Sequence, residues 1–276
     1  MAVKLLMLVI FFAIMVSVGI YARKHATSVD GYVLGGRSVG PWLTAFAYGT
    51  SYFSAVVFVG YAGQFGWKYG LASTWIGIGN AIIGSLLAWV VLGRRTKVMT
   101  QHLNSKTMPD FFGERYGSKA LKITASAIVF IFLVPYTASV YNGLSRLFGM
   151  AFNIPYKYCV IGMAVFTGIY VILGGYMATA INDFIQGIIM LGGIVAVILA
   201  VLNGQGGFIQ AIKTMAEIPS DVPVTMGQPG AFTSFFGPDP LNLLGVVILT
   251  SLGTWGLPQM VGKFYAIKDE KSINTG

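Results

Sequence analysis

Apolar residues run in long blocks along this chain, and polar residues gather in short stretches between them. Seven blocks stand out, at 3–21, 41–66, 71–92, 120–148, 158–174, 177–202 and 241–262. Crossing ~30 Å of hydrocarbon takes about 20 residues of helix. Most of the blocks are that long and too continuously apolar for strands, so the pattern predicts an all-α integral membrane protein. Two blocks are irregular. In 40–66, GPWLTAFAYGTSYFSAVVFVGYAGQFG, the residues Gly49, Thr50, Ser51 and Ser54 cluster at mid-span, where small and β-branched side chains weaken a helix. In 241–262, Gly253, Gly256 and Pro258 interrupt the run TSLGTWGLPQ at a similar depth. Unwound backbone inside a bilayer is tolerated where it lines a cavity or is covered by protein, though small residues also serve helix packing. A pair of interrupted spans is the pattern of a transporter binding site.

Composition supports the membrane reading: 55% of residues are hydrophobic and 10% are charged, against about 25% charged in soluble domains. A net charge of +9 raises nucleic acid as a partner. The basic residues lie between apolar blocks, however, which points to lipid headgroups and topology. If the first block runs inward, one side holds Arg23, Lys24, Arg37, Arg94, Arg95, Lys97, Lys106, Arg115, Lys119, Lys122, Lys263, Lys268 and Lys271. The other keeps Lys4, Lys68, Arg146, Lys157 and Lys213. That asymmetry predicts the N-terminus outside and the C-terminus of this chain inside. The N-terminal apolar run is too long for a cleavable signal core, and no A-x-A site follows it. One cysteine, Cys159, excludes a disulfide framework within the chain and any multi-cysteine metal site. His25 and His102 fall in separate loops and no intramembrane base–nucleophile pair is visible, so an enzyme is not expected.

The polar stretches add local expectations. Gly35-Gly36 predicts a tight turn, with Arg37 beside it available to a headgroup or a carboxylate. The link at 67–70 is short enough to make the second and third blocks antiparallel neighbours. Beyond it, Asn80 adds an amide to a face of small residues. Thr107 or Asp110 is placed to cap a short interfacial helix, and Pro135 frees a helix carbonyl beside Tyr136, Thr137 and Ser139. Gly174-Gly175-Tyr176 joins the fifth and sixth blocks. Of nine carboxylates, only Asp183 lies inside a block. A charge there costs at least ~2.5 kcal/mol on insertion scales, so it is a candidate for a cation path. A position one turn inside the boundary, within reach of interfacial water, is the plainer alternative.

Five stretches in order, YVLGGRSVGPWLTAF (32–46), GTSYFSA (49–55), MPDFFGERYGS (108–118), YVILGGYMATAINDFIQGIIML (170–191) and GTWGLPQMVGKFYAIKDEKSI (253–273), resemble the sodium/solute symporters. That family includes bacterial proline and pantothenate permeases and sodium/sugar cotransporters. The resemblance implies a leucine-transporter-type inverted-repeat fold, here incomplete. An extra N-terminal helix (3–21) precedes the first five-helix repeat (41–202, its first helix broken). An external loop (203–240), the broken sixth core helix (241–262) and a cytoplasmic tail (263–276) follow. The eighth core helix, which completes the family's sodium site, has no counterpart in the sequence, so a truncated form is expected that does not transport alone.

Carried over by position, the resemblance places sodium ligands at the Thr50 and Phe53 carbonyls, with the Ser54 hydroxyl close by. It places Asp183 on the sodium exit path and Arg37 in the coupling loop. Tyr52, Tyr136, Thr250, Thr254, Trp255 and Pro258 become candidates for the substrate cavity. Tyr52 stands where the proline permease has an aspartate, and Val57 and approximately Gly77 replace polar sugar ligands, so neither proline nor sugar follows. The implied function is sodium-coupled symport of a small organic solute, with an amino acid or carboxylate as the candidate class. The expected partners are that solute, Na+ as coupling ion and the lipid bilayer, with no cofactor and no nucleic acid. A non-transporting solute sensor built on a transporter-like body is the alternative from another class. The expected location is the cell membrane.

Overall fold

The computed structural model describes residues 2–53 and 61–276. In chain order its α-helices are α1 (Ala2–Ala22), α2 (Val29–Leu34), α3 (Pro41–Tyr52), α4 (Ala62–Tyr69), α5 (Thr74–Gly79), α6 (Arg94–His102), α7 (Met108–Tyr116), α8 (Lys119–Phe152), α9 (Tyr156–Gly204), α10 (Phe208–Glu217), α11 (Pro240–Leu252), α12 (Pro258–Ala266) and α13 (Glu270–Thr275). Among the described residues the only β pairing is an isolated parallel bridge between Val39 and Ile267. The chain is thus an all-helical integral membrane protein. Among the described residues four helical stretches are long and apolar enough to cross a bilayer, or five if α11 and α12 count as one interrupted span.

The apolar blocks are joined differently from the sequence pattern. The fifth and sixth fuse into α9, whose 49 residues would span about 74 Å if straight, more than twice a bilayer core. The fusion is broken at Gly175, with φ 54° and ψ −146°. Only glycine visits that region readily. A Cβ there would also sit 2.7 Å from the Tyr32 carbonyl oxygen and 2.9 Å from its ring. Between α5 and α6 the backbone is π-helical, at Asn80–Leu87 and Trp89–Gly93. Apolar periodicity did not foretell this wider winding, which is rare and gathers at functional sites.

Two compact units divide the chain, one comprising 1–59, 91–187 and 257–276, the other 60–90 and 188–256. The first has a core of small residues, including Ala22, Ala47, Ala178, Ala180 and Ala266. Small side chains let membrane helices approach closely, where packing rather than water exclusion holds them together. At the α1–α9 contact a Cβ on Gly174 would lie 2.8 Å from the Gly19 carbonyl oxygen. The Val39 N–H donates to the Ala266 carbonyl at 3.4 Å and the Lys268 N–H to the Val39 carbonyl at 2.9 Å, tying the entry of α3 to the exit of α12. Helix α7 starts at Thr107, whose hydroxyl accepts from the Asp110 N–H, so threonine is the cap and Asp110 pairs with Lys122 instead. Helix α8 buries only Ser145 along 34 residues and carries Pro135 in its interior. Its exposed Phe130, Ile131, Phe132 and Val134 suit a lipid environment.

The second unit packs Tyr69, Ala72, Ile76 and Leu243 together. Gly70, at φ 59° and ψ −138°, breaks the chain between α4 and the turn before α5, and any side chain there would strike Phe232. Gly79 admits Val247 and Ser251 of α11 against its bare Cα.

Candidate cation-handling site

Helix α3 ends where the sequence clusters its small residues. Gly49 and Thr50 remain helical, and the Phe53 N–H closes the helix on the Gly49 carbonyl at 2.9 Å. The Thr50 hydroxyl is turned back onto the Phe46 carbonyl at 2.8 Å, so any cation ligand from Thr50 comes from its backbone. The last carbonyls of a helix carry its negative end, a natural neighbour for a cation. Ser54 and Val57 lie outside the described residues.

That end of α3 rests on α9. A Cβ on Gly187 would lie 2.6 Å from the Phe46 ring and 3.1 Å from Thr50 Cγ2, so the glycine is what lets Thr50 come so near. The Phe184 ring meets Phe46 edge-on at 4.7 Å. One turn before Gly187 on the same helix face stands Asp183, and one and two turns further back stand Ala180 and Tyr176. Gly187, against which Thr50 rests, and Asp183 are therefore one turn apart on a single α9 face, about 6 Å along its axis.

Asp183 has a partner the sequence reading missed. Lys263 Nζ lies 3.4 Å from Asp183 Oδ2, with side-chain exposures of 8% for the lysine and 23% for the aspartate. The ammonium also sits 5.2 Å over the Tyr176 ring, whose own hydroxyl is buried with no hydrogen-bond partner. The sequence alone reads Lys263 as the first residue of the tail and an inner-side charge. The structure puts it on α12, which runs on to Ala266. The helical period of PQMVGKFYA was the available signal, obscured because a lone lysine near a span end reads as topology.

Among the described residues no carboxylate forms an ion pair with Arg37. Gly35, Gly36 and Arg37 all take positive φ, and this turn aims the guanidinium at backbone, donating to the Ser105 carbonyl at 2.6 Å and the Thr100 carbonyl at 3.4 Å. Burial pulls its pKa down, with Asp30 and then Tyr265 pulling the other way. Lys97, fully buried, donates to the Tyr265 carbonyl near the C-terminal end of α12 at 3.3 Å. Outside the spans, Asp269 caps α13, and the Ser272 hydrogen bonds hold its carboxyl below the ordinary range.

Of the substrate-cavity candidates, Tyr52, Tyr136 and Pro258 fall in the first unit and Thr250, Thr254 and Trp255 in the second. Tyr52 is buried, its ring 6.3 Å from Tyr48 and 5.3 Å from Phe53. Tyr136 is half-buried on α8, its carbonyl accepting from Ser139. Pro258 begins α12. In the other unit the Thr250 and Ser251 hydroxyls donate to Asn80 Oδ1 at 2.9 and 3.1 Å. Thr254 donates to the Ser251 carbonyl, and the Trp255 indole to the Ile83 carbonyl at 3.0 Å. Asn80, buried at the start of the π-helical stretch, thus joins Thr250 in one polar group.

Comparison with known proteins fits this geometry. Sodium/proline symporters of Staphylococcus aureus strains JH9 and COL are each 34% identical over 279 aligned residues, which cover 97% of this chain and 51% of theirs. The chain therefore spans about half the length of the curated relatives it matches. A solved structure, described as the substrate-bound outward-open state of a Na+-coupled sialic acid symporter, matches with a TM-score of 0.62 at 17% identity. That match covers 93% of this chain and 58% of the other, and at such identity it speaks to the fold. The model of the sodium:solute symporter family, transporters rather than enzymes, matches residues 32–276. All five sequence stretches quoted above lie inside that match, the first beginning at its first residue, and the chain belongs to the sodium:solute symporter family.

Proposed function

We propose that this chain serves Na+-coupled symport of a small organic solute, with the α3 end and the α9 face handling the ion. The observation that carries the reading is that the last turn of α3 packs, through Thr50, against Gly187, one helical turn from Asp183 on the same face of α9. A hard monovalent cation takes oxygen ligands. Carbonyls at a helix end supply them without a second buried charge, and a carboxylate one turn on offers the next stop. Thr50 and Phe53 form the sodium-binding set in this reading, to which the family resemblance adds Ser54, outside the described residues. Asp183 lies on the inward exit path, and Arg37 holds the coupling loop to the end of α6. An amino acid is the favoured solute class, since the 34% identical relatives are sodium/proline symporters; a carboxylate is the second. No organic cofactor is required.

The test is uptake of radiolabelled proline, other amino acids and small carboxylates into proteoliposomes of the complete expressed protein. A Na+ gradient is expected to drive accumulation of at least one of them, whereas equal uptake with choline replacing Na+ throughout would overturn the reading.

The charge bias places the α6–α7 connection inside and the α9–α11 connection outside. Cysteine reporters belong at exposed positions, Gln101 at the end of α6 and Thr214 on α10, in a background where the buried Cys159 is replaced by alanine. An impermeant maleimide applied to intact cells is expected to label Thr214→Cys and spare Gln101→Cys. The opposite labelling would invert the topology.

A further inference from the structure

Lys263 calls for an account that the sodium path does not give it. A lysine inside a span is expensive, and one that serves only topology would extend its ammonium toward an interface. This one is turned inward, 8% exposed, between the Tyr176 ring and Asp183. Its gap to Asp183 Oδ2, 3.4 Å, is well beyond the ~2.7–2.9 Å of a tight charge-assisted hydrogen bond. The two partners are unequal. The lysine is covered, while the carboxylate keeps 23% of its side-chain surface open. A loosely held carboxylate that is itself accessible can be approached by a free cation without the ammonium leaving its pocket. Only one of the two cations has its charge fully matched by the single carboxylate at a given time.

We propose that Lys263 is a tethered stand-in for sodium at Asp183: its ammonium holds the carboxylate when no ion is present, yields to an arriving Na+, and displaces that ion again toward release. This rests on the reading of Asp183 as a stop on the sodium path and adds the element that keeps the stop brief. No bond is made or broken and no proton moves; one monovalent cation replaces another at one carboxylate. The Tyr176 ring gives the displaced ammonium a place to wait, because a cation over an aromatic face keeps part of its stabilisation. Lys263 is thus a positioning residue for release.

Two measurements test it on the complete protein. The first is equilibrium binding of radioactive Na+ to purified protein. Lys263→Gln removes the competitor, so Na+ is expected to stay at Asp183. This variant should bind an additional Na+ equivalent relative to wild type, with slower turnover and a larger gain in thermal stability on adding Na+. Lys263→Arg, which keeps the charge, should retain the wild-type stoichiometry. The double variant Asp183→Asn/Lys263→Gln should also return to it, since the carboxylate is gone. Equal stoichiometry and turnover in wild type and Lys263→Gln would overturn the proposal.

The second measurement needs no substitution. Acylation of Lys263 by a small membrane-permeant amine reagent, read at the level of its peptide, should run several-fold faster in Na+ than in choline. An unchanged rate would equally overturn it. Wild type that neither binds nor uses Na+ at all would instead remove the symport reading itself, so the two failures are distinct.

Discussion

Gly175→Ala is expected to cost most of the folded protein. The residue sits at φ 54° and ψ −146°, a conformation in which a Cβ is strained whatever surrounds it. The surroundings add a second obstacle, because the new methyl would lie 2.7 Å from the Tyr32 carbonyl oxygen and 2.9 Å from the Tyr32 ring. Backbone is the obstacle, so the clash is not relieved by a rotamer change. Strain contributes ~1–3 kcal/mol and overpacking ~1–3 kcal/mol, together about 2–6 kcal/mol. That is comparable with the whole stability margin of many proteins. The measurement is the yield of monodisperse protein on size-exclusion chromatography and its melting temperature in detergent. Gly192→Ala, on the same helix with open space at its Cα, should be neutral or slightly stabilising. If Gly175→Ala matched Gly192→Ala in yield and melting temperature, the break in α9 would not depend on glycine.

Asp183→Asn is expected to reduce Na+-dependent uptake at least about tenfold per folded molecule, the effect of ~1.4 kcal/mol on a rate or affinity. It should also lower stability, because Lys263 then keeps a buried charge with no counter-charge. Removing one member of a buried pair costs ~3–5 kcal/mol, more than removing both. The pair of effects separates two roles. The double variant Asp183→Asn/Lys263→Gln should recover most of the lost stability and little of the lost transport. Asp183→Glu keeps the charge and should recover part of the rate. Uptake across a range of Na+ concentrations, normalised to folded protein, decides the matter. A wild-type rate and Na+ dependence in the Asn variant would leave Asp183 a packing residue near the helix boundary.

The sequence made some of this site legible and concealed the rest for identifiable reasons. Asp183 was conspicuous because an isolated carboxylate in an apolar block has few structural excuses. Thr107 as a cap and Gly174-Gly175 as a junction were readable because their signals are local: a hydroxyl three residues before an orphan N–H, and a residue without a Cβ. Lys263 was hidden by its position near a block edge, where hydropathy cannot tell the last turn of a helix from the first residue of a tail. The backbone targets of Arg37 were hidden differently, since main-chain carbonyls at Thr100 and Ser105 leave no mark in the letters. The same holds for the π-helical winding after Asn80, which shifts hydrogen bonds by one residue without requiring any particular side chain. The closeness of Thr50 to α9 depends on Gly187, one glycine among 36 in the chain, and only the packing singles it out.

The bridge between Val39 and Ile267 has a bearing on how this protein tolerates genetic change. It splices the approach to α3 onto the departure from α12 with main-chain hydrogen bonds alone. Such a splice reads no side-chain identity, so exposed position 268 is free to drift in polarity and charge without loosening it, while buried Val39 is held to apolar residues by its packing. The donors are the N–H groups of Val39 and Lys268, and proline is the one amino acid that deletes an N–H. A codon change to proline at either position is therefore the lesion this junction cannot absorb. Most other missense changes at Lys268, which is exposed, would pass without a trace.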